Sequence, residues 1–187
     1  MGSTVDSKNV SVGKPAMGGA VFSAPLGTKL PITATETLNV AFKGLGYVSE
    51  DGVTNANSPS GDKTKAWGGD TVLNYTTDKP DTFKFMLLEA LNIEVLKTVY
   101  GDKNVSGELT TGITVKANSE DPKEYVWVFD MLLKNGAAKR IVIPSASLTA
   151  VEDIVYKDNT PIGYGITISA TPDTSGNTHY EYIVKSA

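Results

Sequence analysis

Few residues of this chain have the types and spacing that catalysis needs. The acidic pairs Glu50-Asp51 and Glu152-Asp153 suggest acid–base chemistry. Adjacent residues on a strand point to opposite faces, however, so neither pair can converge on one substrate. His179 is the only histidine, and the chain has no cysteine. A transition-metal site or a serine triad would therefore depend on this one side chain, and we assign it no catalytic role.

Two further segments resemble ligand-binding motifs only in part. Asp102-Lys-Asn-Val-Ser-Gly107 matches the opening of a calcium loop, but Ile113 occupies the position of the bidentate acid. Gly44-Leu-Gly-Tyr-Val-Ser49 matches the start of a dinucleotide fingerprint and opens no helix. The sequence therefore predicts no catalytic residue, no cofactor and no metal site, and we expect that the protein is not an enzyme.

Composition places the chain among ordinary globular proteins. Its 187 residues are 40% hydrophobic and 20% charged, with a formal net charge of −4, which suits one domain. Arg140 is the only arginine, which argues against tight binding of nucleic acid. The N-terminus lacks the pattern of a signal peptide. The longest apolar stretch, 85–91, contains Glu89 and is too short to span a bilayer, so we expect no membrane partner.

The coarse pattern is that of many short strands with one helix. We expect a hairpin formed by strands 72–77 and 82–89 around a turn at 78–81. The helix covers about 91–100, with Asn92 as its N-cap and Gly101 at its end. It is too short to be stable alone and should pack on a sheet.

The second half of the chain carries the clearest strand patterns. Residues 125–133 are apolar on both faces, which predicts a central strand covered on both sides. An Asn-Gly turn at 134–137 leads into the next strand. Residues 162–170 alternate between large apolar and small residues, which is typical of a sheet with one face on a core. Together these signals predict a mainly β fold, a β-sandwich or barrel.

The domain organisation follows from the remaining segments. Residues 1–36 are rich in Gly, Ser, Thr and Pro, and we expect them to form an N-terminal arm. We expect 37–170 to form the β-sandwich and 171–187 to form a C-terminal arm. The polar stretch 49–65 predicts a loop far longer than the roughly 4–6 residues of most connections, so it should be disordered, functional or ordered by a partner. Beside it, Trp67 precedes Gly68-Gly69 and could anchor a ligand or a subunit, or belong to the core.

Several sequence segments, taken in order, resemble those of the major tail tube protein of long-tailed, non-contractile bacteriophages and related prophages. The resemblance extends from about Asn9 to Ile183. The segments are Leu45-Gly-Tyr-Val-Ser-Glu-Asp-Gly-Val-Thr54, Lys65-Ala-Trp-Gly-Gly-Asp70, Ala90-Leu-Asn-Ile-Glu-Val-Leu-Lys-Thr-Val-Tyr-Gly101, Ile141-Val-Ile-Pro144 and Gly176-Asn-Thr-His-Tyr-Glu-Tyr-Ile183.

The resemblance implies a structural virion protein. Such a protein has a β-sandwich with a flanking helix and forms rings of six copies, which stack into a hollow tube that conducts phage DNA into the host. Its partners would be further copies of itself, the tape measure, tail tip and tail terminator proteins, and double-stranded DNA that passes without specific binding. It would be assembled in the cytoplasm of the host bacterium and act in the virion tail.

In such tubes, extended termini and a long loop reach the next ring, which gives the stretch 49–65 a role in ring stacking. The candidate stacking residues are Glu50, Asp51, Asn55, Asn57, Asp62, Lys63, Lys65 and Trp67. A net-negative lumen would repel DNA, and Asp130 and Asp153 are candidates for facing it. Two alternatives stay open: an inner tube protein of a contractile injection system, and a monomeric β-sandwich binding module.

Overall fold

The computed structural model describes residues 5–185 and shows a mainly β fold with one α-helix, α1, at Ile93–Tyr100. The strands are β1 (Gly13–Pro15), β2 (Val21–Pro25), β3 (Lys43–Gly44), β4 (Val48–Asn57), β5 (Ser60–Lys65), β6 (Thr71–Asp78), β7 (Asp81–Leu87), β8 (Val105–Glu108), β9 (Gly112–Val115), β10 (Glu124–Leu133), β11 (Ala137–Val151), β12 (Tyr164–Ala170) and β13 (Tyr180–Lys185).

Nine of these strands form one antiparallel sheet, in the order β3-β2-β10-β11-β12-β7-β4, with β1 beside β10 and β13 beside β11. The sheet curls until its distant strands face each other. Phe83 of β7 stacks on Phe129 of β10 with 5.5 Å between ring centroids, although β11 and β12 separate the two strands in the sheet. The described residues form two facing layers and no closed barrel, so the predicted β-sandwich fold is confirmed.

The long strand β11 belongs to both layers. One of its edges pairs with β10 from Ala138 to Ser147. Its other edge pairs first with β13 and then, from Ala146 onwards, with β12. Register shifts at Tyr125/Trp127 and at Leu148/Ala150 mark irregularities along this path. Such bulges bend a strand and increase its twist, which lets β11 pass from one layer to the other.

The main core lies between the two layers. Phe85 contacts Trp127 and Phe129 edge to face, at centroid distances of 5.9 and 5.3 Å. Ile166 and Ile168 of β12 are fully buried beside them. The alternation in 162–170 therefore does place one face on the core, as the sequence predicts.

Strand β10 is covered on both sides. Trp127 and Phe129 lie in the main core, whereas Val126 and Val128 lie in a second cluster on the opposite face. The segment between β2 and β3 covers this second face and contributes Phe42. All four β10 side chains are at most 1% exposed, which confirms the predicted central strand.

Helix α1 begins and ends where local signals place it. The side chain of Asn92 accepts a hydrogen bond from the backbone N–H of Glu94 at 3.0 Å. Gly101 ends the helix with φ +92° and donates its backbone N–H to the carbonyl of Lys97. Val95 and Leu96 are buried against the core, so the amphipathic face stabilises a helix that propensity alone would not.

The predicted loop at 49–65 is wrong, because most of this stretch forms strands β4 and β5. The predicted hairpin around 78–81 is wrong as well. Strand β6 pairs with β5, and β7 pairs with β4, so 71–87 forms one side of a long hairpin. The pairs β4–β7 and β5–β6 are held by backbone hydrogen bonds. The side chains of this polar stretch have low strand propensity, so the sequence does not predict these strands.

Both predicted arms contain strands of the main sheet. Val21–Pro25 pairs with β10 inside the segment 1–36, and Tyr180–Lys185 pairs with β11 inside 171–187. The outermost residues, 1–4 and 186–187, lie outside the described part of the chain. The domain boundaries at 36 and 170 stay a prediction.

Candidate assembly surface

A two-stranded hairpin extends from the sandwich into solvent. It consists of β5, β6 and the connecting turn 66–70, and we call it the projecting hairpin. Its register runs from Ser60 opposite Asp78 to Lys65 opposite Thr71. Every residue of both strands is exposed. At about 3.3 Å per residue, the hairpin reaches about 20 Å beyond the end of β4.

Several large apolar side chains of this hairpin are exposed to solvent within the described residues. Trp67, in the turn, is fully exposed. Leu73 and Tyr75 share one face of β6 and Val72 lies on the other, and all three are about half exposed or more. Exposed apolar surface such as that of Leu73 and Tyr75 on one face of β6 is typical of an interaction site. An isolated hairpin is marginally stable in water, so this element is suited to a partner that covers it.

Half of the predicted stacking residues lie on the projecting hairpin. Asp62, Lys63 and Lys65 belong to β5, and Trp67 belongs to the turn. No salt bridge involves these charged residues within 5–185. Their side chains are thus available to a neighbouring molecule, and their role in stacking stays a prediction.

The other predicted stacking residues lie on β4, with Asn55 and Asn57 near the base of the hairpin and Glu50 and Asp51 at the opposite end of the strand. Glu50 and Asp51 are exposed. Asn57 is the last residue of β4 and pairs with Asp81. The side chain of Asn55 donates to the Oδ1 of Asp81 at 2.7 Å, so it has a structural role within the subunit.

A buried carboxylate fixes the base of the projecting hairpin to the C-terminal segment. Asp81 is 1% exposed. Its Oδ2 accepts a hydrogen bond from Thr178 Oγ1 and lies beside His179 Nδ1, both at 2.5 Å. The imidazole also meets the ring of Phe83 edge-on, at 5.4 Å. His179 thus holds two segments together.

The protonation of Asp81 depends on this network. Burial disfavours the charged carboxylate, but hydrogen bonds from Thr178, Asn55 and His179 outweigh burial and hold the pKa of Asp81 below its usual value. The ionised form is therefore the one that the fold stabilises.

The two predicted lumen residues have different environments. Asp130 forms a bidentate bond with Arg140, with distances of 2.6 and 2.8 Å. Arg140 is 5% exposed and also donates to the backbone carbonyls of Thr33 and Glu36. The charge of Asp130 is therefore neutralised beneath the 33–36 segment, whereas Asp153 is exposed.

Unpaired strand edges border the sheet. Within the described residues, β4 lies at one end of the sheet, and β13 pairs with β11 alone. Exposed edges of this kind are templates for pairing with another chain. They offer a second kind of contact surface besides the projecting hairpin.

Sequence reasoning missed both buried charged clusters. The Asp130–Arg140 pair does have a signal, because the predicted turn at 134–137 sets these two residues opposite each other in the β10–β11 register. The Asp81 cluster has none, because Thr178 and His179 lie almost 100 residues further along the chain.

No helix in residues 5–185 is both long and apolar enough to cross a membrane.

A match to a protein family model identifies the family of this chain. None of the curated proteins matches this chain. A cryo-EM structure of the anti-feeding prophage cap, the AFP tube terminating cap, aligns over 97% of this chain and 100% of its own, with 7% identity and a TM-score of 0.41, which is too low to carry an argument. The family model described as phage tail tube protein matches residues 6–187. Since that match covers nearly the whole sequence, the chain belongs to the phage tail tube protein family.

Proposed function

We propose that this protein polymerises as stacked rings, six copies each, into the hollow tail tube that conducts phage DNA into the host. The observation that carries the proposal is the fully exposed projecting hairpin, with its apolar side chains, on a member of the tail tube family. The hairpin supplies the contact between rings. Family membership supports a virion tail protein with a structural role rather than an enzymatic one.

Stacking explains why a marginal element is retained. The projecting hairpin exposes Trp67, Leu73 and Tyr75 to water in a single subunit. Burying apolar surface contributes about 25 cal/mol per Å², so covering these groups by the next ring favours polymerisation. Asp62, Lys63 and Lys65 then lie at the rim of the contact and set its register.

The free sheet edges suit contacts within a ring. An edge strand satisfies its unpaired N–H and C=O groups when it joins the sheet of a neighbour. Successive subunits joined by β4 and β13 would close the ring, and closure would cover the exposed edges of these two strands.

The charge distribution is compatible with the passage of DNA. Arg140, the single arginine, is buried against Asp130 and cannot form bidentate contacts to phosphate. The net charge of −4 disfavours trapping of the duplex by counterion release. Asp153 is the exposed lumen candidate. If it faces the lumen, Asp153→Lys should slow genome ejection from assembled particles, and unchanged ejection would count against this placement.

In the virion, the tube would contact the tape measure protein within it and the tip and terminator proteins at its ends, after assembly in the host cytoplasm. Each of these partners follows from the proposed role in the tail, and the DNA passes without specific binding.

Electron microscopy of concentrated protein tests the proposal. The wild-type chain should form tubes of uniform diameter, alone or when tail-tip components are added as nuclei. The matched variant replaces residues 58–80 by an Asn-Gly turn between Asn57 and Asp81, which already face each other. It should keep the circular dichroism of a folded β protein and form no tubes.

Two outcomes contradict the proposal. If the wild type yields only monomers or irregular aggregates under every condition, polymerisation into a tube is wrong. If the shortened variant forms normal tubes, the projecting hairpin does not stack the rings.

A further inference from the structure

A pocket of about 260 Å³ lies between the end of α1, the segment 117–123 and strands β10 and β11. Its apolar lining includes Val99, Tyr100, Tyr125, Trp127, Leu148 and Ile154. Pockets for small-molecule ligands typically measure about 300–1,000 Å³. This pocket is smaller, so its size suits a single large side chain better than a metabolite.

The walls of the pocket are held by polar contacts. The hydroxyl of Tyr125 donates to Asp102 at 2.9 Å, and burial together with this bond raises the pKa of Tyr125, so the phenol stays neutral. The amides of Asn104 and Asn118 bond each other reciprocally, at 3.1 and 3.0 Å. The segment that closes the pocket is thereby fixed to the end of α1, and the pocket is preformed.

Three charged side chains in the pocket lining have no ion-pair partner within residues 5–185. Lys97 and Lys123 pair with Glu94 and Asp102. Glu120, Asp121 and Lys103 also line the pocket, and none of these three has an ion-pair partner within 5–185. The pocket thus presents two free carboxylates and one free ammonium group to a visiting segment.

The turn of the projecting hairpin has matching features. Trp67 is fully exposed, and Gly68 and Gly69 follow it with φ of +120° and +102°. Lys65 and Asp70 flank the turn. Tryptophan is among the residues most enriched at binding hot spots, where it fills a desolvated pocket on the partner.

We propose that Trp67 of one copy inserts into this pocket of a copy in the adjacent ring. The inference rests on the proposed stacking of rings and names the acceptor site of the projecting hairpin. Charge complementarity supports a second copy as the occupant, because Lys65 can approach Glu120 and Asp121 while Asp70 approaches Lys103. A carboxylate near the pocket also offers an acceptor for the indole N–H, which a buried tryptophan requires.

Engineered disulfides test the contact, since the chain has no cysteine. Ala66→Cys keeps Trp67 in place, and Glu120→Cys places the second thiol in the pocket lining. Oxidised tubes of the double variant should give a ladder of covalent oligomers on a non-reducing gel. The matched control combines Ala66→Cys with Lys43→Cys on β3, an exposed site outside the pocket, and should give no ladder.

Two further measurements bear on the same contact. Trp67→Ala should raise the critical concentration for polymerisation by about 30-fold, the effect of losing a hot-spot residue, while the unfolding midpoint stays unchanged. Lys65→Glu should weaken polymerisation, and adding Glu120→Lys should restore it.

The outcomes separate this inference from the proposed function. Tubes of the Ala66→Cys, Glu120→Cys variant that give no ladder, or a charge reversal without rescue, would show that the hairpin docks elsewhere, with stacking itself intact. Absence of tubes from the wild-type protein would instead overturn the proposed function.

Discussion

Strands β6 and β7 follow one another along the same side of the long hairpin, yet their environments are opposite. Both carry bulky apolar side chains. In β7, Phe83, Phe85 and Leu87 are at most 3% exposed because the facing layer covers them. In β6, Leu73 and Tyr75 remain about half exposed. A similar strand pattern is therefore buried or exposed according to whether residues of the same chain cover it.

The two tryptophans test this contrast directly. Trp127 is 1% exposed and donates its indole N–H to the carbonyl of Ala146, whereas Trp67 is fully exposed. Trp127→Ala should lower the free energy of unfolding by about 3–5 kcal/mol. Trp67→Ala should change it by less than about 0.5 kcal/mol. Urea unfolding followed by circular dichroism measures both, and similar losses would mean that the projecting hairpin belongs to the folding core.

Arg140 tests whether the second face of the sheet depends on a buried ion pair. Arg140→Met leaves the carboxylate of Asp130, whose side chain is only 16% exposed, without its charge partner and should lower the free energy of unfolding by about 3 kcal/mol. The double variant Arg140→Met, Asp130→Leu should recover much of this loss, because no uncompensated charge remains. Chemical denaturation of the two variants decides the matter. A double variant as unstable as the single one would point instead to the lost bonds to Thr33 and Glu36.

The sequence predicted the elements whose signals are local. Asn92 and Gly101 mark the ends of α1 through hydrogen bonds within their own turns, and β10 shows its two buried faces in its composition. The polar side chains of 49–65 predict a loop instead. Strand formation there depends on the backbone of β6 and β7, which supplies hydrogen bonds but leaves no mark on the sequence of β4 and β5.

The sequence indicates which residue types lie at the candidate surface, but not how the fold arranges them. The sequence predicts Trp67 and its neighbouring charges as assembly residues, which stays a prediction, but it does not predict the hairpin that presents them. Asp81 was missed because its partners Thr178 and His179 are distant in sequence, and only the folded sheet brings them together.

The Asp81 cluster gives the boundary between the two regions a dependence on pH. The folded pKa of Asp81 lies below the value of 3.8 expected without interactions. Its contribution to stability is therefore complete above that value and is lost as the pH falls through the lower, folded pKa. Asp81→Asn should lower the free energy of unfolding by about 1–3 kcal/mol at neutral pH.

Urea unfolding of both proteins between pH 2 and 6 checks this effect (about the range in which aspartates titrate). The difference between wild type and Asp81→Asn should shrink as the pH falls below 3.8. A difference that stays constant across this range would show that ionisation of Asp81 does not stabilise the base of the hairpin.

A glycine in the projecting hairpin separates local from global stability. A Cβ added at Gly61 would lie 2.6 Å from the carbonyl oxygen of Tyr75 in the paired strand, so Gly61→Ala should push β5 and β6 apart. Because neither strand contributes to the core, the free energy of unfolding should change by less than about 0.5 kcal/mol. Amide exchange in 60–78 should nevertheless become faster, since local opening is independent of global unfolding.

Ser60→Ala on the same strand is the control and should leave exchange unchanged. If Gly61→Ala instead lowered global stability by several kcal/mol, the projecting hairpin would be part of the cooperative unit formed by β4 and β7. Exposure of the hairpin in one subunit would then not imply that it unfolds independently of the core. Only the turn that carries Trp67 would remain outside the cooperatively folded region.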